Sequence, residues 1–341
     1  MKLIKTEEAV GQALCHDITQ IIKDVFKDAV FRKGHIITEA DIPLLLSLGK
    51  DHVYIWEKSE GMLHEDDAAD ILRQICQGTN MHPTSPKEGK IELIADIDGL
   101  FVVDVERLRA VNSLGEMMIA TRASGFPVKK GDRLCGTRVI PLVIEKEKME
   151  RARQVAGDTP LLRLLPFRTK KYGLITTGNE VYHGRIQDTF SPVILEKMER
   201  YNCEMVRHEI LDDNHGKITA AINVMLAEGA DMVFCTGGMS VDPEDETPLA
   251  IKNTGASIVS YGAPVLPGAM FLIAYTLDGR PICGLPGCVM YGGYTIFDLV
   301  LPMLLADLPV APTWLAGLGN GGMCLNCPEC HYPNCMFGKG V

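Results

Sequence analysis

Three short glycine-bearing turns carry the residues of this sequence that are best suited to bind a ligand. Each turn follows an apolar run of strand type, and the three are Thr177-Gly178-Asn179-Glu180, residues 236–248, and Gly284-Leu285-Pro286-Gly287. Glycine lets the backbone adopt positive φ and lets a ligand approach closely. Backbone N–H groups in such turns, together with helix N-termini, bind anions. Three turns with the same placement therefore predict a pocket for an anionic ligand.

The second turn is the longest and the most acidic of the three. Residues 232–235 predict a buried strand, which Gly237 and Gly238 end. Thr247 suits a helix N-cap and Pro248 suits the first helical position. Asp245 lies just before this predicted helix. The alternative interpretation is a tight strand-to-helix turn without a ligand, in which Asp245 only favours the helix dipole.

Composition and charge limit the classes of protein to which this chain can belong. The chain has 341 residues, 46% of them hydrophobic, which is enough for two or three domains with a sizeable core. The formal net charge of -10 would repel a phosphate backbone, so we expect no nonspecific nucleic-acid binding. No apolar run approaches membrane-spanning length, and the first residues lack a signal-peptide core. We expect a cytoplasmic protein with no membrane contact.

The order of predicted elements indicates an α/β fold. From residue 170 onward strands alternate with helices, which is typical of a parallel sheet, and open sheets of this kind bind ligands at the carboxyl ends of their strands. A helix is predicted over 61–78, a linking segment over 158–168 and a long helix over 289–305. The predicted domains are an N-terminal α+β module over 1–60, a helix with a small β-rich domain over 61–165, an α/β domain over 166–311, and a linker with a cysteine-rich tail over 312–341.

The three turns resemble the motifs of the molybdopterin-binding domain, which occurs in molybdopterin adenylyltransferases and molybdopterin molybdenumtransferases. The resemblance covers residues 168–310 and implies a three-layer α/β/α fold with a mostly parallel sheet. It implies that the domain binds molybdopterin, acts in molybdenum-cofactor biosynthesis and associates into a homo-oligomer. The implied pterin-binding residues are Thr177, Gly178, Asn179, Thr236, Gly237, Gly238, Ser240, Thr247, Pro267, Gly268, Gly284, Leu285, Pro286 and Gly287.

Two acids would carry catalysis if the resemblance extends to activity. Asp245 matches the family's acid just before Thr-Pro, and Glu180 matches the acid of the first motif. Carboxylates are hard ligands, so this pair would hold Mg²⁺ or stabilise the transfer of molybdate, or of an adenylyl group from a nucleotide. The sequence also departs from the family: Asn179 stands where many members have Asp, and the lysine that often follows Pro-Gly is missing after Gly268.

These departures leave two hypotheses open. One is an enzyme that transfers molybdate or an adenylyl group to molybdopterin. The other is a noncatalytic carrier or sensor of the molybdenum cofactor, whose tail docks a molybdoenzyme or another protein of the cofactor pathway. The missing acid and lysine affect the handling of molybdate and nucleotide, whereas the glycine turns that would hold the pterin are retained.

The last part of the chain has the spacing of a metal site. Cys324, Cys327, Cys330 and Cys335 form two successive CxxC steps and a fourth thiol, with His331 as an alternative ligand. Four thiolates suit tetrahedral zinc, and iron–sulfur clusters use close cysteine spacings too. The glycines of 317–322 predict a flexible linker, so we expect metal binding to order only the tail. The other seven cysteines lack ligand spacing and are expected to be buried thiols.

Overall fold

The computed structural model describes residues 2–23, 25–55, 60–240 and 245–340. Its strands are β1 (Lys2–Lys5), β2 (Ile18–Ile22), β3 (Phe26–Phe31), β4 (His52–Ile55), β5 (Met62–His64), β6 (Met81–Pro83), β7 (Lys90–Ala95), β8 (Gly99–Val103), β9 (Met117–Thr121), β10 (Phe126–Val128), β11 (Arg133–Val139), β12 (Val143–Glu145), β13 (Leu162–Pro166), β14 (Lys171–Thr177), β15 (Glu204–Leu211), β16 (Met232–Thr236), β17 (Ser257–Tyr261), β18 (Leu272–Tyr275) and β19 (Pro281–Leu285). Its α-helices are α1 (Ile42–Ser47), α2 (Glu65–Cys76), α3 (Val105–Asn112), α4 (Lys146–Ala156), α5 (Asn179–Tyr182), α6 (Phe190–Glu199), α7 (His215–Ala227), α8 (Thr247–Asn253), α9 (Ile296–Leu305) and α10 (Pro312–Gly317).

The first of two units combines Met1–Asp96, Val103–Arg122 and Gly131–Arg163. Its N-terminal part pairs β1 with β4 and β2 with β3, both antiparallel, around a small apolar core. The rest is an antiparallel sheet of order β6-β7-β11-β9 with α2 beside it, and β5 pairs with β12. The structure places β5 where the sequence predicts the start of a helix over 61–78; the helix begins only at Glu65, because residues 62–64 pair with 143–145.

The second unit combines Ile97–Val102, Ala123–Lys130 and Leu164–Val341, and its centre is a six-stranded sheet of order β15-β14-β16-β19-β18-β17. The first four of these strands are parallel, and β18 and β17 add antiparallel pairings at one side. Alternate strand residues enter two different cores: Leu174 and Phe234 pack with α6 and α9, whereas Ile175 and Val233 pack with α7 and α8. This three-layer α/β/α arrangement with a mostly parallel sheet confirms the predicted fold class.

Two local predictions in this unit are corrected. Residues 162–166 form β13 within the predicted linking segment, since they pair with β8 in a three-stranded sheet with β10. The long helix predicted from residue 289 begins only at Ile296, because Gly292 and Gly293 precede a capping box in which the N–H of Thr295 donates to Asp298 Oδ2 at 2.8 Å. No element is predicted from the sequence at β17 or β18; β18 is a buried apolar run, and the edge strand β17 is largely exposed.

The segment after residue 311 packs onto the second unit. Leu315 of α10 and Leu318 are buried in its core, and so is Phe337 near the end of the chain. A Cβ on Gly322 would overlap the carbonyl oxygens of Leu318 and Pro264, so this glycine permits a close backbone contact. The prediction of a flexible linker is therefore wrong, because burial of apolar side chains on both sides of the glycines fixes the segment in place. None of the helices in the described ranges is long and apolar enough to cross a membrane.

Candidate functional site

All the glycine-bearing segments singled out in the sequence lie at one edge of the sheet. Strands β14, β16 and β19 are parallel neighbours, with Thr176 opposite Thr236 and Thr236 opposite Leu285, so their carboxyl ends are level. Strand β17 is antiparallel to β18, which is antiparallel to β19, and therefore β17 ends at the same edge. The β17–β18 connection brings Pro267 and Gly268 there as well. The structure thus brings together four segments that are far apart in the chain.

The two central glycines allow two loops to approach each other closely. Gly237 and Gly238 both have positive φ, of 88° and 56°. A Cβ on Gly237 would overlap the carbonyl oxygen of Thr177, and a Cβ on Gly238 would lie 2.8 Å from Thr247 Oγ1. The hydroxyls of Thr177 and Thr247 lie 3.5 Å apart behind these glycines. Any larger residue at either position would therefore push the first motif away from the second.

Thr247 braces this loop rather than capping the helix that follows. Helix α8 begins at Thr247, one residue earlier than predicted, and Glu246 occupies the N-cap position. The Thr247 hydroxyl donates to the carbonyl oxygen of Gly237 at 3.0 Å, and its N–H donates to that of Gly238 at 3.2 Å. The side chain is fully buried. Its polar groups therefore fix the glycine turn, because no water can replace these hydrogen bonds.

The third motif differs from its prediction in one respect. Gly284 and Leu285 are the last residues of β19, so the turn itself begins at Pro286. A Cβ on Gly284 would overlap the side chain of Met239, which follows the glycine pair. The hydroxyl of Tyr261 donates to the carbonyl oxygens of Met239 and Ser240, at 3.1 and 3.3 Å. Residues 241–244, which follow Ser240, lie outside the described residues.

A group of carboxylates faces the first motif. The N–H of Asn179 donates to Asp213 Oδ2 at 2.9 Å. Burial raises the pKa of Asp213, and the negative charges of Glu180 and Asp245 raise it further, against the opposing hydrogen bond from Asn179. Asp212 has a buried Oδ1 without a hydrogen-bond partner among the described residues. The two predicted catalytic acids are thus close enough to Asp213 to act on its charge.

The sequence reasoning did not assign a role to Asp212 or Asp213. The signal was available, because this Asp-Asp pair follows β15, a parallel neighbour of β14, and so had to lie at the same edge. Two acids after a strand are also common turn residues, however, and one sequence does not distinguish a turn from a site.

A polar network fixes the end of β14. The hydroxyl of Thr176 lies 3.0 Å from Ser191 Oγ and 3.1 Å from His208 Nε2. Asp188 Oδ1 accepts from the N–H groups of Phe190 and Ser191, so Asp188 caps the first turn of α6. In a nucleophilic triad the acid contacts one ring nitrogen of the histidine and the nucleophile contacts the other. Here Ser191 Oγ and Asp188 both face Nε2 of His208, so the arrangement is not that of a triad. Burial lowers the pKa of His208, and the network is structural.

The four tail cysteines line one cavity of about 360 Å³, together with Pro267 and Tyr294. Cys327 and Cys330 are exposed, and Cys324 and Cys335 are half-buried. Among the residues that the structure describes, no three His, Cys, Asp or Glu side chains are gathered closely enough to hold one metal ion. This holds for the tail and for the carboxylates at the sheet edge, so both metal sites are still predictions.

Fold and site together define a ligand-binding α/β domain whose glycine loops meet at the carboxyl ends of parallel strands. Residues 173–306 match the family described as "Probable molybdopterin binding domain". The match lies within the second unit and includes all the strands of its six-stranded sheet except the first two residues of β14. Residues 3–57 match a family described as a domain of unknown function.

Two curated relatives carry the same name. The chain is 28% identical over 202 residues to the molybdopterin molybdenumtransferase of Haemophilus influenzae, covering 57% of this chain and 47% of that protein. It is 24% identical over 207 residues to the molybdopterin molybdenumtransferase of Synechococcus elongatus, covering 57% and 49%. The chain thus spans about half the length of these relatives. Among solved structures, the tungsten cofactor synthesizing protein MoaB from Pyrococcus furiosus is 22% identical, covering 40% of this chain and 89% of that one, with a TM-score of 0.31.

Proposed function

We propose that this protein binds molybdopterin at the carboxyl edge of its six-stranded sheet and acts in molybdenum-cofactor biosynthesis. The observation that carries the proposal is the convergence of four glycine-bearing segments at that edge, within the matched domain. The pterin-binding groups would be the residues of these four segments. Their backbone N–H groups would bind the pterin phosphate, since glycine loops leave such groups accessible to an anion.

The proposed chemistry is transfer of molybdate, or of an adenylyl group from a nucleotide, to the bound pterin. Asp245 and Glu180 would hold Mg²⁺ for this step. Two features of the site fit a cation: the pKa of Asp213 is raised by burial and by these two neighbouring acids, and Asp212 Oδ1 is buried without a partner in the described chain. A divalent cation would relieve the repulsion among the carboxylates and satisfy oxygen ligands. Both curated relatives are named as molybdenumtransferases.

A second candidate is a noncatalytic carrier or sensor of the cofactor. The observation that favours it is Asn179, which stands where many members have Asp and whose N–H is already bound by Asp213. In this version a molybdoenzyme or another protein of the cofactor pathway would receive the pterin from a homo-oligomer of this chain. The proposed compartment is the cytoplasm, which is consistent with all 11 cysteines being free thiols.

The tail is proposed to bind a metal, zinc or iron in an iron–sulfur cluster. The support is the spacing of its four cysteines and the cavity that they line together.

A binding experiment tests the pterin site. Gly238→Val should lose molybdopterin affinity by more than about a hundredfold, about 2.7 kcal/mol, because the side chain would displace Thr247 and strain a positive-φ position. Gly279→Val is the matched control: it has φ of 84° and open space around it, in the turn before β19. Native mass spectrometry with added molybdopterin gives occupancy, and circular dichroism confirms the fold of both variants. Equal affinity of a folded Gly238→Val protein and the control would refute the pocket.

Turnover separates the two candidate functions. The wild-type protein is given molybdopterin with molybdate, or with a nucleotide and Mg²⁺, and consumption of each is measured. Consumption supports the transferase, whereas stoichiometric retention of pterin without consumption supports the carrier.

A further inference from the structure

The cysteine tail is attached to a loop of the proposed pterin-binding edge. The N–H of Leu266 donates to the carbonyl oxygen of Gly322 at 2.9 Å, and the N–H of Cys324 donates to that of Leu266 at 2.8 Å. Pro267, the next residue, lines the cavity of the four cysteines. The carbonyl oxygen of Pro267 also accepts from Ile296 at the start of α9, at 3.2 Å. One loop therefore forms a wall of the cysteine cavity and a part of the pterin edge.

Aromatic packing fixes the side of the cavity away from solvent. Tyr332 stacks on Tyr294 with ring centroids 4.1 Å apart, and its hydroxyl donates to the carbonyl oxygen of Asp298 at 3.2 Å. Phe337 is only 3% exposed. Because Tyr332 lies between Cys330 and Cys335 in sequence, these contacts anchor the part of the chain that carries both thiols.

The lining of the cavity favours one of the two kinds of metal centre. The four cysteines line it together with mostly apolar side chains, and its volume is about 360 Å³. The remaining wall includes the apolar side chains of Met323, Leu325, Met336 and Phe337. Ligation by four thiolates within a largely apolar shell is the environment of iron–sulfur clusters, whose potentials depend on such a shell.

We propose that Cys324, Cys327, Cys330 and Cys335 hold an iron–sulfur cluster in this cavity, and that the cluster supports the pterin-binding edge through the loop at Leu266 and Pro267. On ligation each thiol displaces one terminal ligand from an iron of a complete cluster: its sulfur bonds to that iron and its proton passes to the ligand that leaves. This exchange changes no oxidation state and needs no external oxidant or reductant. The part that concerns pterin affinity rests on the proposed function; the cluster itself does not.

Metal and sulfide analysis of the full chain tests the cluster. The protein is isolated anaerobically and also reconstituted with iron and sulfide. We expect at least two irons and an equal amount of acid-labile sulfide per chain, with visible charge-transfer absorption. The double variant C327S/C330S should lose the iron, the sulfide and the absorption while it keeps its fold, because both side chains are exposed. The control C203S, just before β15 and at the opposite edge of the sheet, should retain all three.

Two results would overturn the cluster. One is a wild-type protein that holds one zinc without sulfide, or no metal after reconstitution. The other is full retention of iron and sulfide by C327S/C330S.

Pterin titration tests the coupling separately. The cluster-loaded wild type should bind molybdopterin about tenfold more tightly than C327S/C330S. Equal affinities would refute the coupling. Absence of pterin binding by both proteins, with the cluster present in the wild type, would refute the proposed function and leave the cluster assignment standing.

Discussion

The pterin edge and the cysteine tail, which both belong to the second unit, are built by different means. The edge is made of loops that follow parallel strands, so the hydrogen bonds of the sheet place each loop. The tail has no strand of its own in the part of the chain that the structure describes. It is held by one bridge at Leu266, by the stacking of Tyr332 on Tyr294 and by burial of Phe337.

The comparison shows where a bound ligand matters for structure. The edge exists whether or not a ligand is present, because backbone topology determines it. In the tail, the cysteines between the anchors line a cavity, and among the described residues no sheet hydrogen bonds place them. We therefore expect substitutions in the anchors to lower stability, and substitutions among the edge acids to change function with little loss of stability.

The largest effect is expected where one ion pair supports both regions. Lys197 and Asp298 form a buried pair at 2.5 Å, with side chains 5% and 8% exposed. Lys197 also donates to the carbonyl oxygen of Gly293 at 3.3 Å, next to the tail cavity. Lys197→Met should lower the free energy of unfolding by about 3–5 kcal/mol, because it leaves a carboxylate buried and unpaired.

Denaturant unfolding measures this effect. Arg200→Met is the control, since Arg200 pairs with Glu196 on the same helix with side chains 50% and 68% exposed. An exposed pair of this kind contributes about 0–1 kcal/mol. Equal losses for the two variants would show that the buried pair has no special role.

Phe337→Ala tests whether the tail is part of the core. Loss of a buried phenylalanine costs about 3 kcal/mol, which corresponds to roughly 6–12 °C in melting temperature for a domain of this size. The neighbouring Met336 is 71% exposed, so Met336→Ala should change the melting temperature by less than about 2 °C. A melting temperature that is unchanged by Phe337→Ala would restore the flexible-tail interpretation and weaken the contrast between the two regions.

Asp245→Asn separates binding from chemistry at the edge. Backbone donors would hold the phosphate, so pterin affinity should stay within about tenfold, or 1.4 kcal/mol. Any transfer activity should disappear, because molybdate or nucleotide chemistry with Mg²⁺ needs a charged oxygen ligand. Asp278→Asn, a substitution of an exposed acid in the β18–β19 turn, is the control for kinetics and binding. Full turnover by Asp245→Asn would show that Asp245 is not catalytic and only favours the dipole of the helix that follows it.

Asp213→Asn should have the smallest effect, and it depends on pH. The pKa of Asp213 is raised in the folded protein by burial and by Glu180 and Asp245, so folding favours its protonated form. This contribution to stability is complete below the ordinary Asp pKa of about 3.9 and is lost as the pH rises through the raised pKa. The asparagine variant keeps an acceptor for the N–H of Asn179 and removes the charge.

At neutral pH the Asp213→Asn variant should therefore equal or exceed the wild type in stability, by a few tenths of a kcal/mol after screening by water. Added Mg²⁺ should stabilise the wild type more than the variant, if the carboxylates bind it. Thermal unfolding at several pH values, with and without Mg²⁺, measures both effects. A variant that is less stable than the wild type at pH 7 would mean that the Asp213 carboxylate stabilises the fold, and that repulsion by Glu180 and Asp245 does not dominate.

Local pattern in the sequence is enough to predict the central architecture of this protein. Alternation of apolar strands and amphipathic helices indicates a parallel α/β sheet, and the resemblance to the molybdopterin-binding domain implies its three layers. The glycine turns after strands identify the edge where they meet. The carboxylate pair Asp212-Asp213 is equally visible in the sequence, but its proximity to Glu180 and Asp245 depends on the order of strands in the sheet. The strand order results from pairing between residues far apart in the chain, so no short stretch of sequence predicts it.

The position of the tail, and the need for glycine at 237 and 238, depend instead on packing between distant segments. Local composition predicts a flexible linker at 317–322, since glycine has the greatest backbone freedom, but burial of Leu318 and Phe337 overcomes that freedom. In the same way, Gly237 and Gly238 suggest space for a ligand, whereas the nearest groups are Thr177 and Thr247 of neighbouring loops. Packing between distant segments cannot be predicted from a short stretch of sequence. Which side chains come into contact depends on their shape and burial once the sheet has brought the segments together.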